Sequence, residues 1–177
     1  MNPRALGAAL AAALLVACAT PPPAPGESAW TTGRLSVSVA AQGGQAAQRM
    51  SAGFELRGDD RSGELRLNSP LGTRVAQARW APGLAVLDTG DGERRFDTLD
   101  ELSRQVLGEA MPLAALPDWI AGRPWPAAPH RVQEGGFEQL GWSVRLARQA
   151  EGWIDARREA PPEVVVRVRL DNKDASL

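Results

Sequence analysis

The chain has no tyrosine, one cysteine, one histidine and only three phenylalanines in 177 residues. Each scarcity removes a class of protein. A single cysteine permits no internal disulfide, so the fold must rest on a hydrophobic core rather than on covalent staples. A single histidine, His130, leaves a metal cluster or a serine triad dependent on one imidazole. Neither a phosphate-cradling glycine loop nor metal-ligand spacing occurs. No cofactor and no metal site are expected, and the sequence leans against an enzyme. Charge of one sign is lacking too, with 20 basic residues against 21 acidic. No basic stripe is visible along the chain, which argues against nucleic acid and against a polybasic membrane patch. The carboxylates of Asp59, Asp60, Asp88 and Asp91 fall in turn signals, and those of Asp100 and Glu101 on a helix face, where solvation accounts for them.

Long apolar runs are equally scarce. The run "LGAALAAALLVA" near the N-terminus is too short to span a bilayer. It is preceded by Arg4 and ends at Cys18, the layout of a secretory signal peptide. Leu15-Val16-Ala17-Cys18 resembles the bacterial lipobox, in which the cysteine is acylated and becomes the first residue; the competing reading is a buried structural thiol. The expected organisation is therefore a signal peptide over 1–17, a lipidated Cys18 with a proline-rich tether over 18–29, and one domain over 30–177. By resemblance to enterobacterial lipoproteins, Ala19 in place of aspartate favours the periplasmic face of the outer membrane. The tether "ATPPPAPGES" favours extended polyproline II, about 30 Å in all.

What is present begins at Trp30. "RLSVSVA" puts Leu35, Val37 and Val39 on one face and serines on the other, the period of a half-buried strand. Phe54 and Leu56, Leu65 and Leu67, then Ala76, Ala78 and Trp80 repeat that alternation. "LAVLDTGDGERRF" reads as a hairpin turned at Gly90-Asp91-Gly92. About six antiparallel strands in succession predict a barrel or near-barrel. The period then changes: Thr98 and Glu101 have the spacing of a helix-capping box, Leu99, Leu102, Val106 and Leu107 form one stripe, and Gly108 ends it. A short helix from about Leu116 to Ala121 follows, so the helical insert spans about 98–121. "RPWPAAPH" reads as a proline-rich crossing. Strands return with Trp142, Val144 and Leu146, with "GWIDARRE", and with Val164, Val166, Val168 and Leu170.

Two features stand out. "NSPLGTR" joins two strands, and Leu71 interrupts an otherwise polar turn of Pro70 and Gly72. Six tryptophans dominate the aromatic inventory. Trp80, Trp142 and Trp153 suit either a packed barrel core or the wall of a ligand cavity, and alternation does not distinguish the two.

The lipobox, "NSPLGTR", "FDTLDELSRQVLGEAMPLAALPDWIAGRPWP" and "VRLDN", in this order, resemble the LolB family of outer-membrane lipoprotein receptors, related in fold to the periplasmic carrier LolA. The resemblance runs from about Thr31 to Asn172. It implies an incomplete antiparallel β-barrel around an apolar cavity, lidded by short helices. It also implies a receptor that takes lipoproteins from LolA by their acyl chains and inserts them into outer-membrane lipid, with Leu71 at the protruding-loop position. The candidate cavity lining is Val37, Phe54, Leu56, Leu65, Leu67, Trp80, Trp119, Ile120, Trp142 and Val144. A monomer is expected. The alternatives are a lipoprotein with a solid barrel that scaffolds an envelope complex, and a lipid hydrolase with His130 as base.

Overall fold

A computed structural model describes residues 29–107 and 111–171. Cys18, most of the tether, Gly108 and Asn172 lie outside the described residues.

Eleven strands form one antiparallel sheet: β1 Thr31–Val39, β2 Gln48–Gly58, β3 Gly63–Asn68, β4 Arg74–Ala81, β5 Leu84–Asp88, β6 Glu93–Phe96, β7 His130–Gln133, β8 Gly136–Gln139, β9 Trp142–Arg145, β10 Trp153–Arg158 and β11 Val164–Leu170. Their order is β6-β5-β4-β3-β2-β1-β11-β10-β9-β8-β7. Two meanders are thus sewn together where the first strand pairs with the last, Val37 opposite Val166. The two edges, β6 and β7, are consecutive in sequence and do not pair with each other, so the sheet stays open. Edge arginines Arg94, Arg95 and Arg131 keep those strands from inviting a further strand.

The chain between the edges holds the helices, α1 Leu99–Leu107 and α2 Leu116–Ile120, with a 3-10 turn at Leu113–Ala115. The expected capping box forms with a shift of one residue. Thr98 Oγ1 accepts from Glu101 N–H at 3.1 Å, and Glu101 Oε2 accepts from the N–H of Asp97, not Thr98, at 3.2 Å. Buried Ser103 accepts at 2.7 Å from the N–H of Met111, folding the next segment back onto α1. Pro117 stands in the first turn of α2, where its missing N–H is harmless.

Inward-facing residues of both meanders and of the helices make one apolar cluster. Its aromatic centre is Trp119, with ring centroids 6.3 Å from Phe137 and 6.0 Å from Trp142. Three expectations need correction. The stretch from His130 to Gln139 is a hairpin, β7–β8, and His130 opens a strand rather than lying in a loop. Trp153 faces outward beneath Arg148 and Arg169, because the strand buries Ile154 and Ala156 instead. Asp60 is not merely solvated: its carboxylate accepts from the indole N–H of Trp125 at 3.0 Å.

Candidate functional site

The ten candidate lining residues all belong to the concave cluster or pack on it. Val37, Phe54, Leu56, Trp80, Trp119, Ile120, Trp142 and Val144 are buried, and Leu65 and Leu67 are half-buried against them. Strand parity explains the convergence: Phe54 pairs with Leu67, Leu56 with Leu65, and Leu65 with Ala78, all on one face. The face is tightly filled in this conformation, with Val144 1 % and Phe54 2 % exposed. Space for a guest therefore requires displacement of the helical segment that covers the sheet.

That segment is held unevenly. Buried Gln139 fastens α2 and the proline-rich crossing to β8. Its Oε1 accepts from Trp119 Nε1 at 2.8 Å and from Trp125 N–H at 2.9 Å, while its Nε2 donates to the carbonyls of Trp125 and Ala128, both at 2.8 Å. The Trp125 indole then reaches Asp60 in the β2–β3 turn. The polar side-chain tie from α1 to the sheet that the structure gives is the surface pair Arg94–Gln105. The sequence reading passes over Gln139 and takes Asp60 only as a solvated turn carboxylate. The only signal for Gln139 was a polar residue at the parity of Phe137, flanked by Leu140 and Trp142.

Leu71 stands apart from all of this at 94 % exposure. Gly72 N–H donates to Ser69 C=O at 2.9 Å, and Ser69 N–H donates to Thr73 C=O at 2.8 Å, closing the loop twice. Pro70 fits the second position of a turn in which Leu71 keeps negative φ, so the turn is type I. Gly72 then takes φ +82°, a conformation that disfavours any residue with a Cβ. The result is a short, doubly bonded turn that carries one bare apolar side chain.

The outer face of β2–β4 has its own buried charge. Glu64, 6 % exposed, accepts from Arg57 Nη2 at 2.7 Å, from Arg66 Nε at 2.8 Å and from Gln77. Burial pushes its carboxyl up, and the two arginines more than reverse this, holding it below the usual glutamate range. Trp30 lies over both guanidinium groups, 4.5 Å from Arg57 and 4.3 Å from Arg66, and so fixes the point where the chain enters the domain. Among the described residues no group of three His, Cys, Asp or Glu side chains is placed to hold a metal ion, and no helix is long and apolar enough to cross a membrane.

An open antiparallel sheet with an apolar concave face and helices laid over it matches the incomplete, lidded barrel that the sequence resemblance implies, while core side chains fill its interior in this conformation. Residues 28–175 match the family model described as outer membrane lipoprotein LolB. The chain is 36 % identical over 173 residues to the outer-membrane lipoprotein LolB of Bordetella petrii, covering 89 % of this chain and 86 % of that one. It is 34 % identical over 148 residues to that of Bordetella pertussis, covering 77 % and 74 %, and 29 % identical over 147 residues to that of Neisseria meningitidis, covering 80 % and 76 %. The chain belongs to the LolB family of outer-membrane lipoproteins.

Proposed function

We propose that this protein, anchored at the periplasmic face of the outer membrane through acylated Cys18, accepts lipoproteins from the carrier LolA and inserts them into the bilayer. It does so without catalysing a covalent step. The domain over 30–177 works at the end of the tether over 18–29, after removal of the signal peptide over 1–17. The observation that carries the reading is a continuous apolar concave face, roofed by helices, in the same domain as a bare leucine on a doubly bonded turn.

Burying one methylene contributes about 0.8 kcal/mol, so one long acyl chain represents about 10 kcal/mol and cannot be released into water at a useful rate. Transfer must run from one apolar surface to the next, and rising affinity from carrier to receptor to bilayer drives it without nucleotide. In the receptor, acyl chains displace α1, whose side-chain tie to the sheet lies at the surface, while α2 stays fixed by Gln139. The chains then lie against Phe54, Leu56, Trp119, Trp142 and their neighbours. Leu71 enters the membrane interface and lowers the barrier to delivery.

Photo-crosslinkers at Phe54 and Trp142 test this with a LolA–lipoprotein complex. Cargo adducts at both positions, absent from a control position in the 69–73 loop, are expected. The filled interior also favours a second reading, a solid barrel that scaffolds an envelope complex. A fluorescent acyl probe that fails to bind, together with no cargo adducts, would establish that one instead.

A further inference from the structure

The outer face of the sheet assembles what no stretch of the sequence contains. Arg34 of β1 stands directly opposite Arg169 of β11, and Arg169 directly opposite Trp153 of β10. One step along, Arg167 faces Ser36. Like charges placed across neighbouring strands repel. Among the described residues Arg34 makes no ion pair or side-chain hydrogen bond, and Arg169 makes only its stacking contact, 5.4 Å from the Trp153 ring centroid. Arg167 reaches Asp155 at 3.4 Å. The full chain carries a formal charge of −1, so this cluster is a local feature rather than a share of a general positive charge.

The cluster opens onto a groove. The groove runs from Ser69, Pro70 and Gly72 of the Leu71 turn, past Asn68, Gly53 and Arg34, to Arg167, Arg169 and Trp153; two carboxylates also line it, Glu55, which is held by Arg66 and Asn68, and Asp171. Asn68, Gly53, Arg34, Arg169 and Trp153 are successive partners in register, one lateral row across five strands. At about 4.8 Å per strand, Arg34 stands about 10 Å and Arg169 about 14 Å from the root of the turn. Gly53 supplies the notch in the floor: a Cβ there would meet nothing closer than Asn68, at 3.8 Å.

We propose that this groove is a phosphate subsite for the headgroup of a bilayer phospholipid, bound by Arg34 and Arg169 when the adjoining Leu71 turn enters the membrane. It rests on the reading of Leu71 as a membrane-entering residue. A phosphodiester between the two guanidinium groups removes their repulsion and matches the planar donor fork of arginine. Every basic side chain among the described residues other than His130 is arginine. The Trp153 indole beside them suits the headgroup level, where tryptophan accumulates. Continuity of the groove with the turn favours a lipid over an acidic protein surface, since whatever Leu71 enters lies against this face.

The test uses the mature chain from residue 18 carrying Cys18→Ser, so that neither an acyl anchor nor the apolar run over 1–17 contributes, floated with vesicles of phosphatidylethanolamine and phosphatidylglycerol. Arg34→Gln with Arg169→Gln is expected to lower vesicle binding about tenfold. Gly53→Leu, which fills the groove and leaves the charge intact, should lower it by a similar factor with an unchanged unfolding midpoint. Arg61→Gln, in the turn at the other end of β3, should bind as the parent does. Normal binding by both groove variants overturns the proposal. So does an equal loss in Arg61→Gln, which would mean diffuse charge, or a loss in the arginine variant confined to binding of the carrier protein. Leu71→Glu separates the two readings: normal binding there removes the membrane role of the turn, whereas its loss alongside intact groove variants removes only the phosphate subsite.

Discussion

The two ends of β3 carry turns of similar length and opposite character. At one end, residues 59–62 are bound from every side: Asp59 Oδ1 accepts from the N–H groups of Arg61 and Ser62, its carbonyl accepts from the Trp80 indole at 2.8 Å, and Asp60 accepts from Trp125. The Asp59 carboxyl is held below the usual range by those backbone N–H groups. At the other end, residues 69–73 are bound only to themselves, and Leu71 points at nothing. Two of the six tryptophans, Trp80 and Trp125, turn their N–H groups to the 59–62 turn, so the free turn stands at the far end of a strand whose other end is tied down. A loop acting as proposed for the Leu71 turn needs a rigid support more than local stability.

Truncating the tied region should have the largest effect on folding. Trp80→Ala removes a buried indole that also covers Gly63, whose Cβ would lie 2.4 Å from the ring. Urea unfolding should show a loss of about 4 kcal/mol; a loss below about 1 kcal/mol would mean that the Asp59 end is not held as described. Gln139→Leu strands two N–H donors and two carbonyls beneath α2 and should lower stability by about 3 kcal/mol in the same measurement. It should also raise uptake of an acyl probe if α2 is part of the roof.

The Glu64 clamp comes next, with an effect that depends on pH. Its carboxyl is lowered in the folded state, so the stabilisation is complete above the unfolded value and is lost as pH falls through the folded one. Thermal midpoints should therefore drop from about pH 5 downward, and Glu64→Gln, less stable at neutral pH by about 2 kcal/mol, should show a shallower drop. Parallel curves for parent and variant would break the assignment. Leu71→Glu belongs at the bottom of the scale, with stability unchanged within about 0.5 kcal/mol. Cargo insertion into vesicles should nevertheless be lost while acyl-probe binding persists, the reverse of the pattern at the other turn.

Much of this comparison was legible in residue order. The alternation in β1–β4 is long enough to fix both strand existence and facing, the turn at Gly90-Asp91-Gly92 marks the β5–β6 hairpin, and Thr98 with Glu101 marks the start of α1 within a residue. Pro70 and Gly72 announced a tight turn, and a leucine between them has little choice but to point outward. The hairpin β7–β8 escaped because its strands have four residues each and one is an exposed edge, too short for a period to establish itself. Trp153 misled because its size suggested the core, whereas the smaller Ile154 and Ala156 hold the inward parity. The arginine row had no signal along the chain. Arg34 and Arg169 are 135 positions apart and become neighbours only because the first strand pairs with the last.

The stack of Trp30 on Arg57 and Arg66 has a consequence for how often the Leu71 turn meets the membrane. It pins the tether's exit four residues along β1 from Arg34, whose row reaches the root of the turn two strands away. Along and across the strands that separates exit and turn by about 20 Å. For a chain held by lipid at Cys18, as proposed, a tether of about 30 Å only slightly exceeds this span. A linker matched to its span gives the highest effective concentration of the second contact, in the millimolar range. The turn then samples the bilayer continually while remaining free to leave it. Doubling the tether with a flexible insert should dilute that encounter without touching a single residue of the folded domain.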